Sequence, residues 1–189
     1  MSVLGYLRKN GIRRVFDVFY HYKLDLIYQK VMNVFLKHMP LKNIIIIESH
    51  NDFDCNGGAF YDYLIKNNYN EKYKIVWMLK NKAPSGLPSN VVTCQVYRPS
   101  IRKAWYVCRA KIFTADNVIT KKVRKEQKSF YFTHGAVGLK SVVGKCNIPD
   151  TVDYILSPSE FYGPIQAKQG SMSYPNKSFL CLGYPCHDT

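Results

Sequence analysis

Three short stretches of this sequence place side chains capable of acid–base and phosphate chemistry directly after apolar runs. They are Glu48-Ser49-His50-Asn51-Asp52, Thr114-Ala115-Asp116-Asn117 and Thr133-His134-Gly135, the last continuing as Ala136-Val137-Gly138-Leu139-Lys140. A histidine set between a buried strand and a glycine-bearing turn offers its ring to a cleft. There a neutral imidazole accepts a proton from a hydroxyl nucleophile near neutral pH. The glycines, Gly135 first, let a phosphate approach the main chain, the helix expected next presents free N–H groups, and Lys140 adds positive charge. The same position suits a purely structural histidine, so the motif alone leaves both readings open.

The composition is that of a folded chain. Its 189 residues are 47% hydrophobic and 21% charged, enough for one domain with a real core, and its 15 tyrosines and 10 phenylalanines serve chiefly to fill it. The net charge of +14 is concentrated. Residues 1–40 carry seven Lys/Arg against two Asp, and residues 98–128 carry ten against two acids. Such stretches are either solvated faces or contacts for anionic partners, a membrane surface and a phosphate-rich polymer being the two expected here. The six cysteines form no CxxC pair and are not interleaved with histidines at ligand spacing, which predicts reduced thiols in a cytoplasmic protein and no zinc site. No apolar run reaches the roughly 18 residues that would span a bilayer.

The elements that must position these groups follow from periodicity. Ile12, Val15, Phe16, Phe19, Tyr22, Leu26, Ile27, Val31, Val34 and Phe35 recur at three- and four-residue steps, which predicts one amphipathic helix ended by Pro40. Arg13, Arg14, Lys23 and Lys30 make it cationic, and the reading leaves two uses for it: contact with an anionic membrane, or packing on its own domain or a partner. The chain is thus divided into a helical segment over 1–40 and an α/β domain over 41–189. Within the latter, apolar runs at 44–47, 75–79, 91–93, 111–113, 130–132, 152–156 and 179–182 alternate with helical patterns at 57–68, 99–109, 117–126, 137–142 and 159–168. Fully buried strands alternating with helices imply a parallel, Rossmann-like sheet with helices on both faces. In such sheets ligands bind beyond the carboxyl ends of the strands, where the three polar stretches fall.

The stretch SFYFTHGAVGLKSVVG resembles the strand–Trp-His-Gly-Thr-Pro-Leu-Lys element of the CDP-glycerol glycerophosphotransferase family, the teichoic acid primases and polymerases. His134, Gly135, Leu139 and Lys140 match, while Thr133 replaces the tryptophan and Ala136-Val137-Gly138 replace Thr-Pro with one extra residue. IIIIESHNDFDCNGGAFYDYLIKNN, YKIVWMLKN and RAKIFTADNVITKKVRKEQKSFYFTHG are similar to the family's successive strand segments. LGYPCHDT looks like its Gly-Tyr-Pro-Arg-Asn-Asp signature, with Cys186 and His187 in place of Arg and Asn.

The resemblance covers residues 43–189 and implies the amino-terminal half of a GT-B architecture. A donor-binding second half is expected to be missing, and the isolated chain to be inactive. It further implies that the terminal hydroxyl of a lipid-linked polyol phosphate polymer attacks the β-phosphorus of CDP-glycerol and releases CMP, without a resident cofactor. His134 would be the base, Gly135 and Lys140 would hold phosphate, and Asn56 and Asn117 the acceptor hydroxyls. Glu48 and Asp116 would orient His134, and the basic run Lys121, Lys122, Arg124, Lys125 and Lys128 would attract the polymer. Two further classes fit the same sequence: a non-catalytic domain binding an anionic polymer or membrane, and half of a nucleotide-sugar transferase. A nucleic-acid binder is disfavoured, because the aromatics lie within strands rather than among the Lys/Arg.

Overall fold

A computed structural model of the protein describes residues 3–117, 120–133, 148 and 151–187. His134, Gly135, Lys140 and the helix expected over 137–142 lie outside the described residues. Seven strands, β1 (Lys42–Glu48), β2 (Lys74–Leu79), β3 (Val91–Gln95), β4 (Ala110–Ala115), β5 (Lys128–Tyr131), β6 (Tyr154–Leu156) and β7 (Phe179–Leu180), form one sheet in the order β3-β2-β1-β4-β5-β6-β7. Every neighbouring pair is parallel. All seven apolar runs of the sequence are strands, and the sheet is Rossmann-like as expected.

The alternation of side chains along the strands builds two cores. Ile44, Ile46, Val76, Met78 and Phe113 point to one face, where Tyr106 and Val107 of helix α4 (Ile101–Arg109) cover them. Ile45, Ile47, Ile75, Trp77 and Leu79 point to the other, under Tyr61 and Leu64 of α2 (Cys55–Lys66). A short α3 (Tyr69–Lys72) precedes β2, and α5 (Gly163–Gln169) precedes β7. The central strands are apolar on both faces because both are covered.

Helix α1 (Val3–Leu36) is interrupted at Gly11, whose φ of 74° and ψ of 155° are non-helical. It lies on α4 through a mixed polar and apolar face. The Asp25 carboxylate meets Lys103 Nζ at 2.6 Å, the Gln29 carbonyl accepts from Cys108 Sγ at 3.5 Å, and Leu36 is buried. Arg124 closes its end by donating to the carbonyls of Leu36 and Met39 at 3.2 and 2.8 Å. Most of the stripe read from the sequence points away from the domain. Ile12, Phe16, Ile27, Val31, Val34 and Phe35 are between 52% and 73% exposed, and Lys23 and Lys30 are exposed beside them. The helix thus packs on its own domain, one of the uses left open, while most of its apolar stripe stays outside that contact.

One expected helix is replaced by irregular chain. Over 120–126, within the helix expected at 117–126, the backbone donors of Thr120, Val123 and Arg124 are taken by side chains. The N–H of Thr120 donates to Glu48 Oε2 at 3.1 Å, and the N–H groups of Val123 and Arg124 both donate to Gln127 Oε1 at 2.9 Å. Gln127, fully buried, in turn donates to the carbonyls of Val107 and Ala110. Tertiary partners of this kind outcompete the weak local preference for helix.

Candidate active site

From β1 the chain winds one way to β2 and β3, and from β4 it winds the other way to β7, so the order reverses between β1 and β4. Adjacent connections leave in opposite directions there, and the carboxyl ends of the two strands open a crevice. The polar stretches that end β1 and β4 meet in it. Asp116, fully buried, accepts from the N–H of His50 at 2.6 Å and from the N–H of Gly57 at 3.3 Å. Asn117 Nδ2 lies 2.6 Å from His50 Nδ1. With the amide donating, Nδ1 accepts and the ring proton sits on Nε2.

Glycine makes the approach of α2 to this point feasible. A Cβ on Gly57 would stand 2.8 Å from Ser49 Cβ, and one on Gly58 would stand 2.8 Å from the Phe53 carbonyl oxygen. The amino end of α2 therefore brings the Gly57 N–H to the Asp116 carboxylate, an arrangement the helix dipole favours.

Glu48 ends β1 and is 1% exposed. Its Oε2 accepts from the Thr120 hydroxyl at 2.5 Å as well as from the Thr120 N–H, while its Oε1 has no hydrogen-bond partner among the described residues. Burial raises its pKa to about 7, against the lowering pull of the Thr120 hydrogen bonds and the charges of Lys80 and Lys103. The observed partner of Glu48 is thus Thr120. Lys80, the residue after β2, crosses to this loop and donates to the carbonyls of Ser49 and His50 at 3.3 and 2.7 Å.

The third polar stretch ends β5, next to β4. Thr133, the last described residue of this stretch, has a φ of 59°, a left-handed conformation costly for a β-branched residue. Asn56, 2% exposed, fastens this stretch: Nδ2 donates to the carbonyls of Thr133 and Phe132 at 3.0 and 3.4 Å, and Oδ1 accepts from the N–H of Cys186 at 3.2 Å. Its amide is therefore committed to main chain and positions the end of β5. The Gly-Tyr-Pro element serves the same place. Gly183 takes a φ of 85°, Tyr184 is buried against Phe132 and Leu156, and the 3-10 turn Pro185–His187 carries Cys186 to Asn56. Burial pushes the Tyr184 hydroxyl up from its ordinary value.

The remaining candidates are spread out. Lys122 pairs with Asp153 at 2.5 Å and Arg124 caps α1, whereas Lys121, Lys125 and Lys128 are exposed and Arg13 and Arg14 stand in solvent on α1. Two groups at the crevice had no assigned role in the sequence reading. His50 was visible only as part of a polar loop, and Lys80 only as the polar end of an apolar run. The signal that could have found both was position, since Lys80 directly follows β2 and His50 lies two residues past the end of β1. Among the described residues no three His, Cys, Asp or Glu side chains gather as a metal site.

Fold and site together define a Rossmann-like α/β domain with its polar crevice at the reversal of strand order. The chain belongs to the CDP-glycerol:poly(glycerophosphate) glycerophosphotransferase family, whose profile matches residues 30–189. It is 24% identical over 168 residues to a teichoic acid poly(glycerol phosphate) polymerase of Bacillus spizizenii, a match covering 78% of this chain and 42% of that protein. The solved structure of the wall teichoic acid polymerase TagF superposes with a TM-score of 0.68 at 17% identity, over 94% of this chain and 48% of that one. A variant of that polymerase soaked with CDPG gives a TM-score of 0.67 at 17% identity over the same shares. The chain thus spans about half the length of the relatives it matches.

Proposed function

We propose that this chain is the acceptor-side half of a phosphotransferase that moves glycerol phosphate, or a related polyol phosphate, from a CDP-activated donor to a membrane-linked wall or capsular polymer. The observation that carries the reading is the meeting of the ends of β1, β4 and β5 at one crevice, in a chain of this family. The acceptor hydroxyl enters there and gives its proton to His134, which follows the left-handed Thr133. Gly135 and Lys140 balance charge on the transferring phosphate. His50, Asn117 and Asp116 line the neighbouring wall, while Glu48 and Asn56 hold the loops in place. Oxygen of the acceptor attacks the β-phosphorus, the bond to CMP breaks, and CMP leaves with the electron pair. The donor-side groups are assigned to protein beyond these residues.

The exposed apolar stripe of α1, bordered by Lys23 and Lys30, supports a peripheral position on the inner face of the membrane, where the stripe enters the interface and the lysines meet anionic headgroups. Among the described residues no helix is long and apolar enough to cross a bilayer.

The test uses protein expressed from the full coding sequence containing this chain, with CDP-glycerol and a glycerol-phosphate-primed acceptor. CMP release is expected, and His134→Gln is expected to slow it by about 10²–10⁴-fold. A variant releasing CMP at the parent rate would remove His134 from the reaction.

A further inference from the structure

The opposite edge of the sheet holds a second cavity, of about 440 Å³, that the transfer reaction does not use. Strand β1 runs from Lys42 at this edge to Glu48 at the crevice, which puts the two places roughly 20 Å apart at about 3.3 Å per residue. The cavity is lined by Lys42, Lys72 and Lys74 together with Asn43, Asn90 and Trp105, and among the described residues no carboxylate lines it. A fourth cation stands at its rim, for Lys111 Nζ donates to Asn43 Oδ1 at 2.6 Å. Asn90 fixes the loop ahead of β3 by donating to the carbonyls of Asn70 and Tyr73 at 2.9 and 3.3 Å. Among the described residues none of the three lining lysines is in an ion pair.

Like charges gathered around a void raise its potential, and an anion entering it is drawn in without displacing a resident carboxylate. Lysine suits phosphate as a compact point charge with three donors. The aromatic wall adds a second requirement. Lys42 Nζ stands 5.0 Å from the centre of the Trp105 ring, so the cation and the flat apolar surface are offered side by side. That pairing matches a ligand with a phosphate next to a short carbon chain.

We propose that this pocket binds a polyol phosphate ester, its phosphate among Lys42, Lys72 and Lys74 and its carbons against Trp105. The choice of the polyol rests on the transfer reading above, in which this ester is the repeating unit of the polymer. The pocket then holds the growing chain about 20 Å from the end being extended. Binding here keeps the polymer attached between transfers, since release of one contact leaves the other in place.

The experiment is a titration of tryptophan emission, because any anion that draws Lys42 from the ring alters the surroundings of Trp105. The probes are glycerol 3-phosphate, an oligomer of glycerol phosphate, polyglutamate of equal charge, and vesicles of phosphatidylglycerol in phosphatidylcholine. A saturable response to the two glycerol phosphate probes is expected, lost in Trp105→Phe. The triple variant Lys42→Gln, Lys72→Gln, Lys74→Gln is expected to bind about tenfold more weakly. Added salt is expected to weaken the parent's binding.

A silent parent protein, an unaltered triple variant, an equal response to polyglutamate, or a response to vesicles alone would each overturn the proposal. Circular dichroism checks that the triple variant, changed only at the polar edge, remains folded. CMP release measured on the same protein separates the two readings. Transfer with no titration signal removes the pocket alone, and titration without transfer removes the enzyme assignment alone.

Discussion

Replacing Glu48 by glutamine tests the electrostatics of the crevice in a quantity that can be worked out beforehand. Glu48 is 1% exposed, and its pKa is pushed from 4.5 to about 7, chiefly by burial. In the unfolded chain the carboxyl ionises near its ordinary value, so between the two pKa values the folded protein holds the proton and the unfolded one does not. Stability from this group is therefore fully present below pH 4.5 and is lost as pH rises through about 7. At 1.36 kcal/mol per unit, the loss amounts to about 2 kcal/mol by pH 6 and about 3 kcal/mol above pH 7.5. Glutamine has the same shape, keeps an oxygen to accept from Thr120, and does not titrate. Urea unfolding of parent and Glu48→Gln at pH 5, 6, 7 and 8 should therefore give a stability difference that shifts in favour of the variant by about 2.5 kcal/mol across the series, since about 0.8 kcal/mol is already lost at pH 5. A difference that stays constant with pH, or moves the other way, would show that the carboxyl is ionised throughout and the burial argument wrong.

Gly57→Ala places a methyl 2.8 Å from Ser49 Cβ, and the strain should outweigh the gain in helix propensity of up to about 1 kcal/mol, leaving a net loss of about 1–2 kcal/mol. Chemical denaturation checks this, and adding Ser49→Gly should restore most of the loss. Phe16→Ser with Val31→Ser changes side chains that are 67% and 53% exposed, so thermal stability should hold while co-sedimentation with phosphatidylglycerol vesicles falls by about tenfold or more. Vesicle binding equal to the parent would show that the stripe serves something other than lipid.

Much of the architecture was legible because it rests on local signals. The runs Ile44–Ile47 and Ile75–Leu79 are apolar at every position, and only a strand covered on both faces needs that. The three polar strand ends were equally visible, and the sheet order brings them together as the crossover rule requires. What the sequence left open was which side chains would answer one another. Asn56 had the type of a ligand-holding residue, yet its amide binds the main chain of Phe132, Thr133 and Cys186, partners up to 130 positions away. The charges of Lys122 and Arg124 suited a polymer, but Asp153 and the end of α1 engage them.

Chain order by itself determined the strands, their parallel pairing and the edge at which chemistry belongs, because those follow from burial and from the period of the backbone. Only the tertiary structure decided that Gln127 and Glu48 would take the N–H groups of a would-be helix, and that α1 would pack through Asp25 and Gln29 while turning its apolar stripe outward. Those outcomes depend on which distant group lies within about 3 Å of a given donor, and spacing along the chain carries no record of that distance.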